Sequence, residues 1–93
     1  ITIAATDRNG DRAYYSNYGS VVEIAAPGGD TRYSGSGILS TLNTGTQGPV
    51  DDTYEYYQGT SMAAPHVSGV ASLLYSVKSS ITPSEVLSTL QNT

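Results

Sequence analysis

Cysteine, tryptophan and phenylalanine are all absent from this chain, and Lys plus Arg number only four against eight acidic residues. Without Cys there is no disulfide to compensate for small size, although this says little about compartment, since many secreted proteins also lack Cys. A net charge of −4 argues against a nucleic-acid partner, which would call for a basic face. No apolar run approaches the roughly 18 residues that span a bilayer, which argues against a membrane partner. An initiating Met and a signal-peptide pattern are missing too. The chain opens directly on the strand-like Ile1–Thr6, so the reading expects a segment upstream of residue 1.

What remains is 93 residues, enough for one small domain in which only about two thirds of the unfolded surface is buried on folding. Eight Tyr supply all the aromatic bulk. Tyr buries well only where its hydroxyl finds a partner or reaches solvent, which suits a groove or a half-exposed sheet.

Taken in order, Ile1, Ile3 and Ala5 alternate with Thr2, Ala4 and Thr6, a period of two that predicts a strand with Ile1 and Ile3 facing a core. Asp7-Arg8-Asn9-Gly10-Asp11 reads as a turn, since Asn and Gly tolerate positive φ. Its Asp7, Asn9 and Asp11 are spaced like early calcium-loop ligands, but Gly10 comes too early and Tyr18 stands where the closing acid belongs. Ala13–Gly19 is read as a short extended segment and loop. Val21–Ala26 is a second strand stopped by Pro27-Gly28-Gly29, and its Glu23 is read as an ion-pair partner or a solvated group. Residues 28–49 are Gly-, Ser- and Thr-rich loop, interrupted by a short strand at Ile38–Leu42. Adjacent Asp51 and Asp52 are read as solvated turn residues rather than an acid/base pair.

Tyr54–Tyr57 is strand-like, and beyond it small and apolar residues continue at helical spacing to about Val77. Ser61 therefore falls at a helix N-terminus, where unpaired N–H groups and the peptide dipoles favour developing negative charge. Val67, Val70, Ala71, Leu74 and Val77 form one face, and Ala64, Ser68, Ser72 and Ser76 another. The pattern predicts a helix packed on several sides, with Pro65 in or near its first turn. Thr82, Pro83 and Glu85 form a capping box for a final helix that is expected to dock on the long one. No internal repeat or linker divides the chain.

A serine at a helix start is by itself weak evidence for chemistry, because Ser is a common cap. The whole string Gly59-Thr60-Ser61-Met62-Ala63-Ala64-Pro65-His66-Val67-Ser68-Gly69, however, resembles the nucleophile motif of the subtilisin-like serine peptidases, G-T-S-M-[AS]-[AST]-P-H-[VA]-[AS]-G, at every position. The segments from Thr6-Asp7 to Tyr18-Gly19, Ala26-Pro27-Gly28 and Thr82–Val86 are similar to flanking segments of that family. The resemblance implies an α/β fold, with residues 1–93 as the C-terminal portion of a three-layer catalytic domain. It implies secretion to the extracellular space and hydrolysis of a polypeptide substrate, with Ser61 as nucleophile and its own backbone N–H as an oxyanion donor. Gly59 and Thr60 would shape the oxyanion and specificity-pocket walls, while Tyr57, Gln58 and Tyr15 would line the leaving-group side. Met62, beside the nucleophile, is open to oxidation that would crowd the site. No cofactor is needed for the chemistry, though the family allows structural calcium in a complete domain. A propeptide or a proteinaceous inhibitor is a further partner the resemblance allows.

His66 is the only histidine, yet five residues along a helix are about 500° of rotation, which turns it roughly 140° away from Ser61. It is read as a hydrogen-bonded structural residue, which is also its place in the family motif. By resemblance the catalytic Asp and His and the oxyanion Asn belong to segments before residue 1. The chain alone would then be inactive, and the upstream part of the same domain becomes its first partner. Two other readings compete: an α/β-hydrolase esterase using Gly59–Ala63 as a degenerate nucleophile elbow, and a non-enzymatic fragment that offers strand edges to a partner.

Overall fold

The computed structural model describes residues 1–93 as four strands followed by two helices: β1 (Ile3–Thr6), β2 (Ile24–Pro27), β3 (Ile38–Asn43), β4 (Asp52–Tyr57), α1 (Thr60–Val77) and α2 (Pro83–Gln91). β1 and β2 pair in parallel, with Ile3 opposite Ile24 and Thr6 opposite Pro27. Pro27 is tolerated because it ends the strand, where no ladder N–H is missed. β1 is buried differently from the expected alternation. Ala4 and Ala5 are both buried, whereas Ile1 lies outside the strand and is exposed. A parallel strand covered on both faces has no need of a two-residue period.

The loop after β1 satisfies that strand's other edge. Ala13 N donates to the Ala5 carbonyl (2.9 Å), and the buried Ser16 Oγ accepts from Ala5 N (2.8 Å), standing in for a neighbouring strand. Asp7 closes the preceding turn by accepting from Asn9 N and Asp11 N, and Gly10 takes a φ of 84°. Glu23 proves to be neither ion-paired nor simply solvated, since its Oε1 accepts from Thr2 N at 2.9 Å.

α1 lies against the β1–β2 sheet, and the core between them is built from small side chains: Ala5, Ala13, Ala26, Ala63 and Val67, flanked by Ile3, Tyr15, Ile24 and Leu90. Alanines on both surfaces let helix and sheet backbones come close. The expectation of a helix covered on several sides is not met within these residues. Only Ala63 and Val67 are buried, while Val70, Leu73, Tyr75 and Val77 are exposed, as are Ser68, Ser72 and Ser76. The sheet, with Leu90 of α2, covers one face, Ile38–Ser40 of β3 come near only Met62, Pro65 and His66 at the start of the helix, and most of the remaining surface is open. Pro65 is also further in than expected, at the sixth helical residue, so Ser61's carbonyl lacks the helical donor four residues on.

β3 and β4 form an antiparallel hairpin, from Ile38 opposite Tyr57 to Asn43 opposite Asp52. Asn43 Oδ1 gathers the loop by accepting from Gly45 N and Val50 N. Asp52 therefore opens a strand instead of sitting in the turn, although both aspartates remain exposed. Tyr54 and Tyr56 on one face of β4 and Tyr57 on the other are all exposed, so the hairpin is open on both faces rather than the half-exposed sheet expected of a Tyr-rich chain.

α2 begins with the predicted capping box: Thr82 Oγ1 accepts from Glu85 N and the Glu85 carboxylate accepts from Thr82 N. Its docking runs through Leu90 on the small-residue core, through Gln91 Nε2 donating to the Glu23 carbonyl (2.9 Å), and through an exposed Lys78–Glu85 ion pair. The Thr82 N–H, and after it Lys78, lower the Glu85 pKa below its ordinary value.

Thr82→Ala is expected to cost about 1 kcal/mol in denaturation experiments. Because the folded-state pKa of Glu85 lies below the unfolded one, its contribution is complete above about pH 4.3 and disappears as pH falls through the folded value. Melting temperature followed from pH 6 to pH 3 should therefore fall less steeply in Glu85→Gln than in the parent. A second expectation concerns the apolar residues left open on α1 and β4. The isolated 93-residue chain should self-associate, with a broad melting transition that shifts with concentration, read by light scattering and calorimetry. A sharp, concentration-independent transition would contradict it.

Candidate functional site

The junction between β4 and α1 is tied to sequence-distant segments by hydrogen bonds at Gln58 and Gly59. Gly59 caps α1 with φ 150° and ψ 163°, a backbone region open in practice only to glycine. No side chain caps the helix, and its first intrahelical bonds run from Met62 N and Ala63 N to the Gly59 carbonyl. The N–H groups of Thr60 and Ser61 consequently have no acceptor in the chain. Ser61, the second residue of the helix, is exposed, and its Oγ makes no hydrogen bond to another group. An unencumbered hydroxyl and two open amides thus share one helix terminus, the arrangement that binds or stabilises an oxyanion.

Two distant segments hold that terminus in place. Gly59 N donates both to the Gly28 carbonyl (3.0 Å) and to Tyr15 Oη (3.1 Å), while Tyr15 Oη in turn donates to the Gly29 carbonyl (2.9 Å). Burial raises the Tyr15 pKa, against the opposing effect of the Gly59 N–H, and the nearby Asp30 charge raises it further, so the phenol keeps the proton it donates. Gly28 is buried at the crossing. A Cβ there would meet Ala5 Cβ at 2.5 Å, Tyr15 Oη at 2.6 Å and the Gly59 carbonyl at 2.8 Å. One residue earlier, Gln58 Oε1 accepts from Thr31 N (2.8 Å) and Gln58 Nε2 donates to Tyr14 Oη (2.7 Å).

Of the residues singled out in the sequence, Tyr15, Gln58, Gly59, Thr60 and Ser61 come together here. Tyr57 lies at the end of β4 opposite Ile38, exposed and outside this hydrogen-bond network. His66 is turned away from Ser61: its Nδ1 lies 2.7 Å from the Met62 carbonyl, and since a carbonyl only accepts, Nδ1 carries the proton. That is a bond that ties the ring to its own helix. No three His, Asp or Glu side chains gather in metal-binding fashion, and Asp7 is committed to its own turn.

Sequence reasoning missed Tyr14, Thr31 and the pair Asp30–Arg32. Asp30 is 2% exposed and receives Arg32 Nε and Nη2 at 3.0 and 2.7 Å. These hydrogen bonds hold its carboxyl below the usual range although burial works in the opposite direction, and they raise the Arg32 pKa. An Asp two residues before an Arg in a Gly-rich stretch signals no more than a local turn.

The class of protein is therefore a mixed α/β chain whose strand-to-helix junction presents an exposed serine beside open amides. The chain belongs to the subtilase family, whose family model matches residues 1–93. It is 47% identical over 94 residues to an extracellular protease of Xanthomonas campestris pv. campestris, covering 100% of this chain and 15% of that protein. With the thermitase of Thermoactinomyces vulgaris it shares 47% identity over 76 residues, 82% of this chain and 22% of that protein. Among solved structures, a protease from Pseudoalteromonas arctica superposes with a TM-score of 0.93 at 52% identity, covering 100% of this chain and 28% of the other. The chain thus spans about 15% of the length of the first curated relatives it matches. Family membership displaces the α/β-hydrolase reading of Gly59–Ala63.

Gly28→Ala is expected to destabilise the protein by about 1–3 kcal/mol, the usual range for overpacking, and Tyr15→Phe by about 1 kcal/mol through loss of the hydroxyl bridge. Combining them should not restore stability, because Ala5 Cβ and the Gly59 carbonyl still meet the added methyl. Urea denaturation of the two single variants and the double variant checks this.

Proposed function

We propose that residues 1–93 form the nucleophile-bearing C-terminal segment of a larger, secreted subtilisin-like serine endopeptidase domain. The observation that carries this reading is the exposed Ser61 hydroxyl beside the open N–H groups of Thr60 and Ser61 at the start of α1. The names of the relatives, an extracellular protease and an extracellular basic protease among them, support it. No helix of the chain is long and apolar enough to cross a membrane.

In this reading Ser61 Oγ attacks the carbonyl carbon of a peptide bond, giving up its proton to a histidine from the upstream part of the same domain. The tetrahedral oxyanion rests on the Ser61 N–H. Collapse expels the amine, which takes the proton from that histidine, and water then hydrolyses the acyl-enzyme by the same steps. Gly59 sets the helix start and Thr60 continues it, while Tyr57, Gln58 and Tyr15 form the leaving-group side. Within the chain Ser61 has no base and remains an ordinary alcohol. Structural calcium, a propeptide and a proteinaceous inhibitor are roles for the complete domain.

A serine-directed phosphonate probe tests the proposal. It should label the complete protein, fail to label its Ser61→Ala form, and fail to label the isolated 93-residue chain. Strong labelling of the isolated chain would overturn the missing base. Absence of labelling in the complete protein would overturn the role of Ser61 and favour an assembly fragment.

A further inference from the structure

The Asp30–Arg32 pair lies outside the reacting groups yet connects to them through a continuous set of contacts. Asp30, a buried residue of the loop after β2, grips Arg32 through both Nε and Nη2, and its Oδ1 also accepts from Arg32 N at 3.1 Å. This fork fixes the plane of the guanidinium. The guanidinium carbon then sits 3.8 Å from the centre of the Tyr14 ring, close enough for a cation–π contact. Tyr14 is also in edge contact with Tyr15, their ring centres 5.3 Å apart. The Tyr14 hydroxyl accepts from Gln58 Nε2, and the other end of the Gln58 amide accepts from Thr31 N, the residue between Asp30 and Arg32. Gln58 is therefore held at one end by Thr31 of this segment and at the other by Tyr14, whose ring Arg32 covers, and it immediately precedes Gly59, whose carbonyl takes the first bonds of α1.

We infer that Asp30, Arg32 and Tyr14 are positioning residues for the Ser61 helix terminus, acting through Gln58 to hold its open N–H groups in place, that of Ser61 where a tetrahedral oxyanion forms. The inference rests on the proposed role of Ser61. Tyr15 and Gly28 hold Gly59 by its N–H; the Arg32 unit holds the preceding side chain, so the terminus is fixed at two successive residues. If only the former remained, the loop would keep its place but gain freedom to rotate. Displaced amides would bind the ground-state carbonyl about as well and the oxyanion less well, a loss that falls on kcat rather than KM.

The test uses the complete protein with a peptide substrate. Arg32→Leu is expected to lower kcat about tenfold with KM changed less than about twofold, and to slow phosphonate labelling by a similar factor. Tyr14→Phe keeps the ring under the guanidinium but removes the hydroxyl, and should reproduce part of the loss, about threefold. Arg32→Lys keeps the charge without the fork and should not rescue. The decisive comparison is a cycle with Gln58→Ala: if Arg32 acts through Gln58, Arg32→Leu causes no further loss in that background. Additive losses, a change confined to KM, or an Arg32→Leu variant with parental kcat would each overturn the inference. Should Arg32→Leu fail to fold, Tyr14→Phe and its cycle with Gln58→Ala decide the matter alone. Activity surviving in Ser61→Ala would instead defeat the underlying reading and leave a different signature.

Discussion

Everything at the site depends on one close approach, the contact between the backbone at Gly28 and the backbone at Gly59. Their N···O separation is 3.0 Å, and there is no room at Gly28 for even a methyl group. This contact joins the end of β2 to the start of α1, so the position of the helix terminus is inherited from the parallel sheet. The small core has the same logic. Ala5, Ala26 and Ala63 bring sheet and helix close enough for the two glycines to meet, and a larger residue at any of them would separate the surfaces. Dense local packing, rather than total buried area, holds the serine in place.

Around that contact the tyrosines work as hydrogen-bonding residues more than as apolar bulk. Tyr15 offers its hydroxyl to both Gly59 N and the Gly29 carbonyl, and Tyr14 offers its own to Gln58. A chain without Phe or Trp gains polar anchors wherever it buries an aromatic edge, at the cost of having to satisfy each hydroxyl. Burying Asp30 carries a similar obligation, discharged by a fork from Arg32 that also brings the guanidinium over the Tyr14 ring. The residues that satisfy one another's polar groups are the same ones that surround the loop before Ser61.

The helices and the strands of the hairpin were legible in the sequence to within a residue or two. α1 ends at Val77 as its periodicity predicts, and α2 starts with the Thr82–Glu85 capping box because such caps involve residues three apart. Burial was much less legible. The same periodicity pointed to a helix covered on several sides, but a pattern says which residues favour contact and not whether a partner lies within the chain. The alternation in Ile1–Thr6 misled for a related reason: Ala4 and Ala5 point to opposite faces of β1 and both are buried, so both faces are covered, which the pattern of one strand does not reveal.

For the site, the residues from Gly59 to Gly69 were sufficient to place Ser61 at a helix start, to set His66 aside on angular grounds and, by resemblance, to point to the subtilase family that the comparison then established. The first two follow from local geometry, since a helix start, its open amides and the angle between two side chains depend on neighbours a few residues apart, whereas the family came from the resemblance of the whole string. What holds Gly59 and Gln58 was decided only in three dimensions. Tyr14 and Tyr15 lie 44 residues from the groups they bind, and Asp30, Thr31 and Arg32 come from a stretch whose composition reads simply as loop. Their convergence follows from the parallel register of β1 with β2 and from the packing of α1 across both. No local pattern encodes that register, because it is set by contacts between segments far apart along the chain.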